Sequence, residues 1–356
     1  MQKLLTLSGA MALALGSISL TAPVLSHAAA AGKAVDGPEV HWRFSLWGDR
    51  RSFTEGIEYV SQHVGERTGG KFRIELFYGE ELSKGPKNLE GITEGAFEGA
   101  IVCGLYHPEK NRPLNVLDLP LLPLANFDIV RQVHETIYAH PVVQEVFDRW
   151  NAVLYMSNIV PQYEYMGVGE APRAYTDFKG RRVTAFGGQK RAMELLGATT
   201  LRRRAPTARA TLESGEADTI GFPYTYAFAS YKIDELATWV TTNLKLGTIN
   251  CPTVFNRDAY IALPVQYRQL LEDLRFGAYT AMRKSYAEQD IVNEERWRSD
   301  GKIEMVEISE SELRRFRHYA GQPVWDAWIE DNEGEIPAQE LLDIVLETGQ
   351  RLYLCQ

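Results

Sequence analysis

The chain has 356 residues, with 38 Lys and Arg against 47 Asp and Glu, 45% hydrophobic and 11% aromatic. That apolar content offsets the ordering entropy of folding and excludes disorder, and the length allows about two domains. A formal net charge of −9 argues against a nucleic-acid binder, and three cysteines in so long a chain are no disulfide scaffold.

Lys3 is the only charge before Lys33, residues 4–25 are mostly apolar, and Ser26-His27-Ala28-Ala29-Ala30 supplies small residues at the spacing signal peptidase reads. Ser8, Gly9, Gly16, Ser17, Ser19, Thr21 and Pro23 interrupt the apolar run. Residues 1–30 therefore read as a signal peptide, cleaved near Ala28–Ala30, and not as a membrane anchor. No later segment is apolar for long enough to cross a bilayer, so the exported protein is expected not to span a membrane. Export leaves two readings of Cys103, Cys251 and Cys355: one disulfide with a thiol left over, or three small buried hydrophobes. Cys103 ends an apolar run and Cys251 follows one, which suits neighbouring buried strands.

Strands alternate with helices along the rest of the chain. Residues 41–46 read as a strand running into Trp47-Gly48-Asp49. Ser52-Phe53-Thr54-Glu55 is a capping-box pattern, and behind it Phe53, Ile57, Val60 and Val64 share a helical face that Gly69-Gly70 ends. Phe72, Ile74, Leu76 and Tyr78 alternate as a strand; residues 88–97 form a short helix and 100–103 a buried strand. The unit recurs as strand 182–186, helices 190–196 and 208–214, and strand 217–221. Such alternation argues α/β layers with mainly parallel sheets. From Pro264 to about Arg298 the pattern is one long helix, its single Gly277 lying within a continuing pattern, with Leu270, Leu271, Leu274, Tyr279, Met282 and Tyr286 on the apolar face. It spans roughly 50 Å, more than one small domain is wide, so it should lie across two lobes. A strand at 303–308 and helices at 309–319, 324–330 and 337–354 finish the chain.

Among His41, His63, His107, His134, His140 and His318 there is no H-E-x-x-H, and Cys-x-x-Cys is also missing, so neither a metal nor a cofactor is expected. Gly-x-Ser-x-Gly and the P-loop are absent, and Gly167-Val168-Gly169 meets Pro172 where a dinucleotide fingerprint needs its last glycine. His134 and His140, six apart, read as a solvated or capped pair rather than ligands. An exported two-lobe α/β chain without a catalytic motif points first to ligand capture, not catalysis.

Several blocks carry a resemblance. They are Glu66-Arg67-Thr68-Gly69-Gly70-Lys71 with Phe72-Arg73-Ile74-Glu75-Leu76-Phe77, Leu89-Glu90-Gly91-Ile92-Thr93-Glu94-Gly95-Ala96, and Leu117-Asp118-Leu119-Pro120-Leu121-Leu122. Thr176-Asp177-Phe178-Lys179-Gly180-Arg181-Arg182-Val183, Leu196-Gly197-Ala198, Ala210-Thr211-Leu212-Glu213-Ser214-Gly215-Glu216-Ala217-Asp218 and Phe255-Asn256-Arg257-Asp258-Ala259-Tyr260-Ile261-Ala262-Leu263-Pro264 follow. In this order, over roughly residues 40–300, the chain resembles the DctP-like solute-binding proteins of tripartite ATP-independent periplasmic (TRAP) transporters. The resemblance implies a type II-like periplasmic binding protein: two α/β lobes with crossing hinge strands and a long helix spanning both, closing over one small solute. It implies residence in the periplasm and TRAP membrane subunits as partners, with no nucleic acid. The expected division is 38–161 plus 250–289 for lobe I, 162–249 plus 290–317 for lobe II, and 318–356 as C-terminal helices packing on the lobes.

The departures bear on specificity. In the family the strand after Asp-Leu-Lys-Gly usually carries an arginine that clamps the ligand's carboxylate; that position is Thr184 here. A second position, often Arg, falls on Glu164, and a third, often Asn before a proline, on Phe222 before Pro223. These replacements count against C4-dicarboxylate or sialic-acid ligands. Tyr163, Tyr165, Phe186, Phe222, Tyr224 and Tyr226 flank the matched positions, and Trp47 ends the first strand where the family places another contact; Cys103, Gly104 and Asn250 complete the expected lining. Alternation keeps Arg182 on the strand face of the lost clamp, where it reads first as a solvated or salt-bridged arginine and second as a substitute carboxylate donor. The run Arg202-Arg203-Arg204 reads as an exposed patch. The expected ligand is a small organic acid or zwitterion held largely by aromatic residues. Closure is expected about hinge strands near 159–165 and 250–255. Two other classes stay open: a sensory binding protein, and a periplasmic lyase-like enzyme using Glu164 as base.

Overall fold

The computed structural model describes residues 33–354. The expected signal peptide and Cys355 lie outside the described residues. The described strands, in chain order, are β1 (Val40–Ser45), β2 (Phe72–Phe77), β3 (Gly99–Ile101), β4 (Ala152–Ser157), β5 (Tyr163–Gly167), β6 (Arg182–Thr184), β7 (Thr199–Leu201), β8 (Thr219–Pro223), β9 (Trp239–Thr241), β10 (Pro252–Asn256) and β11 (Glu304–Val306). They form two sheets, ordered β2-β1-β3-β10-β4 and β11-β9-β5-β8-β6-β7. The fold is the expected two-lobe α/β architecture.

The expectation of mainly parallel sheets needs one refinement. Each sheet contains one strand running against its neighbours: β10 opposes β3 (Val254 beside Ala100) and β4, and β5 opposes β8 (Tyr165 beside Gly221) and β9. These are the two strands reached by a short extended crossing between sheets; a third crossing, from β10 to β11, runs through the long helix and ends in a strand parallel to β9. β4 leaves the first sheet through residues 158–162 to become β5, and β9 leaves the second through 242–251 to become β10. A parallel neighbour would need a helical crossover, whereas these strands arrive through short extended segments. The two crossings are tied together: Asn158 N donates to Cys251 O (3.1 Å), Thr248 Oγ1 to Val160 O (2.6 Å) and Tyr163 N to Gly247 O (2.7 Å). The crossings therefore lie slightly ahead of the expected hinge segments, because residues 163–165 and 252–255 are already paired in sheets. Of the two cysteine readings, the disulfide holds for Cys103 and Cys251, which bond the end of β3 to the start of its neighbour β10.

Apolar alternation builds the sheets: in β1, Trp42 and Phe44 are buried, and Trp42 meets Phe72 edge-on at 5.1 Å. The long helix is Val265–Asp300, 36 residues and about 54 Å at 1.5 Å per residue. Gly277 sits under Tyr59 of the helix Glu55–Arg67, where an added Cβ would fall 2.3 Å from the phenol oxygen, so close packing explains a glycine in mid-helix. Further along, Tyr286 faces Tyr226 at 5.2 Å, and Asp290 accepts from Thr225 N (3.0 Å) and Oγ1 (2.8 Å), just past β8. One helix thus packs against elements of both sheets. The expected capping box at Ser52 does not form. Residues 52–54 make a single 3-10 turn, Thr54 Oγ1 accepts from Arg51 N (3.1 Å), and Ser52 Oγ bonds Ser285 of the long helix (2.8 Å). The pair His134 and His140 is not solvated: His134 is buried against Ser157 Oγ (2.7 Å), its pKa pushed down to about 3 by burial, and His140 caps the helix Pro141–Arg149 through Val142 N (3.3 Å).

Candidate functional site

Parallel strands of both sheets deliver residues from their carboxyl ends to one small cavity. Trp47 follows β1, Cys103 follows β3, Phe186 follows β6, Arg204 follows β7, and Phe222 closes β8; Tyr163, opposite Pro223 at the start of β5, completes the wall. Such strand ends are where open α/β sheets bind ligands. The cavity is about 70 Å³. Its rings brace one another: Trp47 lies 5.4 Å from Phe53 and 6.4 Å from Tyr106, and Phe222 lies 5.4 Å from Tyr231 and 5.9 Å from Phe228.

Two guanidiniums enter this aromatic wall. Arg51 Nη1 donates to the carbonyls of Trp47 (2.9 Å) and Asp49 (2.7 Å), and its Cζ stands 5.0 Å from the Phe53 centroid. Arg204 pairs with Glu80, while its Nε is buried without a hydrogen-bond partner. A buried donor left unmet costs free energy that an acceptor on a ligand would recover. Burial pushes the Tyr106 phenol up, and the charge of Arg204 beside it counters part of that shift.

Of the residues expected in the lining, Trp47, Cys103, Tyr163, Phe186 and Phe222 meet at this cavity, together with Tyr226. Thr184 is buried within its sheet, Oγ1 accepting from Gly221 N at 3.1 Å. Arg182 is not at the cavity. It opens β6 at the end away from the cavity, is exposed, pairs with Asp218 (3.3 Å) and donates to Gly215 O (2.5 Å). Glu164 points the other way from Tyr163, as strand alternation requires. It accepts from Thr241 Oγ1 (2.6 Å), Leu244 N (3.1 Å) and Lys245 N (2.9 Å), and burial pushes its pKa up to about 7 against those bonds.

Glu164 instead lines a second cavity of about 300 Å³ behind the 158–162 crossing, with Tyr224, Tyr286 and Asp290. There Tyr224 Oη donates to Glu294 at 2.9 Å. Tyr165 packs into its own lobe, 5.5 Å from Phe178. Gly104 and Asn250 stand behind the disulfide: Gly104 N donates to Asn250 O (2.9 Å), Asn250 N to Asp118 Oδ1 (2.5 Å), and Tyr138 Oη to Asn250 Oδ1 (2.5 Å). Burial pushes the Asp118 pKa up to about 8.

Arg51, Phe53, Tyr106, Arg204 and Tyr231 line the cavity without having been singled out as ligand contacts. The arginine run is not one exposed patch: Arg202 donates to Leu105 O (2.9 Å), Arg203 pairs with Glu216, and only Arg204 reaches the cavity. Position was the available signal, since Arg204 follows a strand end as Trp47 does, but nothing in three consecutive arginines says which one turns inward.

The family described as "DctP: Bacterial extracellular solute-binding protein, family 7" matches residues 45–331. No curated protein matches the chain. Among solved structures, a TRAP periplasmic solute-binding protein from Sulfitobacter sp. NAS-14.1 with bound β-D-galacturonate is 16% identical, covering 86% of this chain and 100% of that one, with a TM-score of 0.73. A marine metagenome TRAP solute-binding protein specific for aromatic acid ligands, in complex with 3-hydroxybenzoate, is 16% identical over 88% of this chain and 99% of that one, with a TM-score of 0.77. The same identity, coverage and TM-score relate the chain to a TRAP periplasmic solute-binding protein from Desulfovibrio salexigens with bound orotic acid.

Proposed function

The chain belongs to family 7 of the bacterial extracellular solute-binding proteins and is a binding receptor, not an enzyme; from that premise we propose that it captures a small organic acid in the cavity at the strand ends. The observation that carries the reading is Arg204 Nε, a buried cationic donor without an acceptor, set among Trp47, Phe186 and Phe222. A ligand carboxylate accepts from that guanidinium in a charge-assisted bond while its hydrocarbon part packs on the rings. Related structures hold β-D-galacturonate, 3-hydroxybenzoate and orotic acid, each a small acid, which supports the class without choosing a member.

In this proposal residues 1–30 direct export to the periplasm and are removed near Ala28–Ala30. Lobe I is 38–161 with 250–289, lobe II is 162–249 with 290–317, and residues 318–356 pack on them. The lobes open and close about the crossings 158–162 and 242–251, and the closed, loaded form delivers its solute to TRAP membrane subunits. A thermal-shift screen over uronates, aromatic acids, orotate, amino acids and betaines tests the ligand class. A compound at ~100 times its dissociation constant adds about 2.7 kcal/mol of apparent stability. Acids should raise the melting temperature in the wild type and raise it less in Arg204→Ala; a response confined to betaines would remove the acid reading.

A further inference from the structure

One ion pair joins the outer strands of the two sheets. Glu80 stands three residues past β2 and Arg204 three residues past β7, and their side chains pair with 23% and 39% exposure. A second contact runs alongside it, Arg202 Nη2 donating to Leu105 O at 2.9 Å. Glu80 is an unexpected residue for its place. It takes the second central position of a tight turn in which Glu81 N donates to Tyr78 O (3.1 Å), with Gly79 at φ 62° and Glu80 at φ 68°. Left-handed backbone at both central residues suits Gly and Asn, and a glutamate there is sterically disfavoured. The turn itself needs no carboxylate. The carboxylate serves to accept from Gly85 N (3.1 Å) and from the Arg204 guanidinium.

Arg51 and Arg204 bring two positive charges to the cavity wall, and Glu80 returns one negative charge to Arg204. The buried Asp118, close enough to act on Tyr163, is kept protonated at neutral pH by its burial and adds none. We propose that Glu80 is a specificity-determining residue, leaving the cavity one net positive charge and so selecting a monocarboxylate over a dicarboxylate of the same shape. The inference rests on the organic-acid reading of the cavity. A single ligand carboxylate neutralises the excess charge. A second one, desolvated among Trp47, Phe186 and Phe222, finds no second excess positive charge, because Glu80 already neutralises one of the two guanidiniums.

Calorimetric titration of the mature protein with 3-hydroxybenzoate and with 5-hydroxyisophthalate, the same ring carrying a second carboxylate, tests the assignment. The wild type should prefer the monoacid at least tenfold. Glu80→Gln should reduce that preference at least tenfold, and Glu80→Asp, which keeps the charge, should retain it. Glu80→Asn, a neutral residue suited to the left-handed turn, replaces the Gln variant if the latter folds poorly. An equal affinity of the wild type for both acids, or a preference unchanged in the neutral variants, overturns the role of Glu80 and leaves the organic-acid reading standing. If neither acid binds, the assignment of Glu80 is overturned, and if neither orotate nor galacturonate binds either, the organic-acid reading falls with it.

Discussion

The cavity at the strand ends holds about 70 Å³ and the one behind the crossing about 300 Å³, yet the smaller has the chemistry of a receptor. Behind the crossing, Glu164 already accepts three hydrogen bonds, Asp290 accepts two from Thr225, and Arg283 pairs with Asp128 at 2.9 Å. Those carboxylates pin the 241–245 turn and the start of the 225 segment; their work is structural. At the strand ends, Arg204 Nε has no acceptor, and the surrounding rings belong to segments from both sheets. Volume alone misleads here. The Tyr286 phenol of the rear cavity is also buried without a partner, but it is neutral, whereas the Arg204 donor is cationic and favours an anionic ligand.

Substitutions separate the two cavities, and the largest effect is expected at the disulfide. Replacing both Cys103 and Cys251 by Ser should lower the stability of the ligand-free protein by about 2–5 kcal/mol in urea denaturation, since the bridge closes a loop of 148 residues. Because both cysteines line the small cavity, acid affinity should fall with it; unchanged affinity would show the wall to be insensitive to its backing. Phe222→Ala should cost roughly 3 kcal/mol in the same assay, because the ring is buried against Phe228 and Tyr231, and should also weaken acid binding in calorimetry. A loss of stability with wild-type affinity would place Phe222 in the core alone.

The Asp118 network predicts a pH dependence. Its folded pKa, pushed up to about 8, lies above the ordinary carboxylate value, so between about pH 4 and 8 the folded state binds a proton that the unfolded state has released. Stability on this account is greatest at low pH and is lost as pH rises toward 8. Glu164 and Asp290, raised to about 7 and about 6, act in the same direction, so the informative quantity is the difference between wild type and Asp118→Asn. Urea midpoints at pH 5 and pH 8 should fall less in the variant, whose amide oxygen can still accept from Asn250 N. Equal slopes would remove Asp118 from the explanation.

Arg204→Ala should weaken acid binding by roughly 10–100-fold, the span of a charge-assisted bond worth about 1.5–3 kcal/mol. Ligand-free stability should stay within about 1 kcal/mol, because the pair with Glu80 is partly exposed. Tyr224→Phe, in the rear cavity, should change neither affinity nor stability by more than about 1 kcal/mol, removing only the bond to Glu294. A large loss of affinity there would move the site behind the crossing.

Local periodicity was enough for much of the fold. Alternation in 41–46 and 72–78 and the apolar stripe of 264–298 were legible because a strand or helix with one buried face writes its period into the chain. The short strands β7 and β9, three residues each, carry no such period, and the reversed direction of β5 and β10 depends on the sheet each one joins. In the site, strand-end aromatics such as Trp47 and Phe222 could be placed by position, whereas Arg182 and Glu164 could not. Arg182 shares the strand of Thr184 but sits at its outer end, and Glu164 alternates away from Tyr163.

The class of the protein was legible in the order of its residues: α/β layers, a helix too long for one lobe, and strand ends rich in aromatic rings. The charge of the cavity was not, because it is set by contacts between distant segments. Arg204 is the third of three adjacent arginines, and Glu80 lies 124 positions away in a turn of the other sheet. Pairing across such a separation depends on how two sheets approach, which no local pattern of residue types encodes. A side chain's propensity is set by its neighbours in the chain, but its electrostatic partner is set by its neighbours in space.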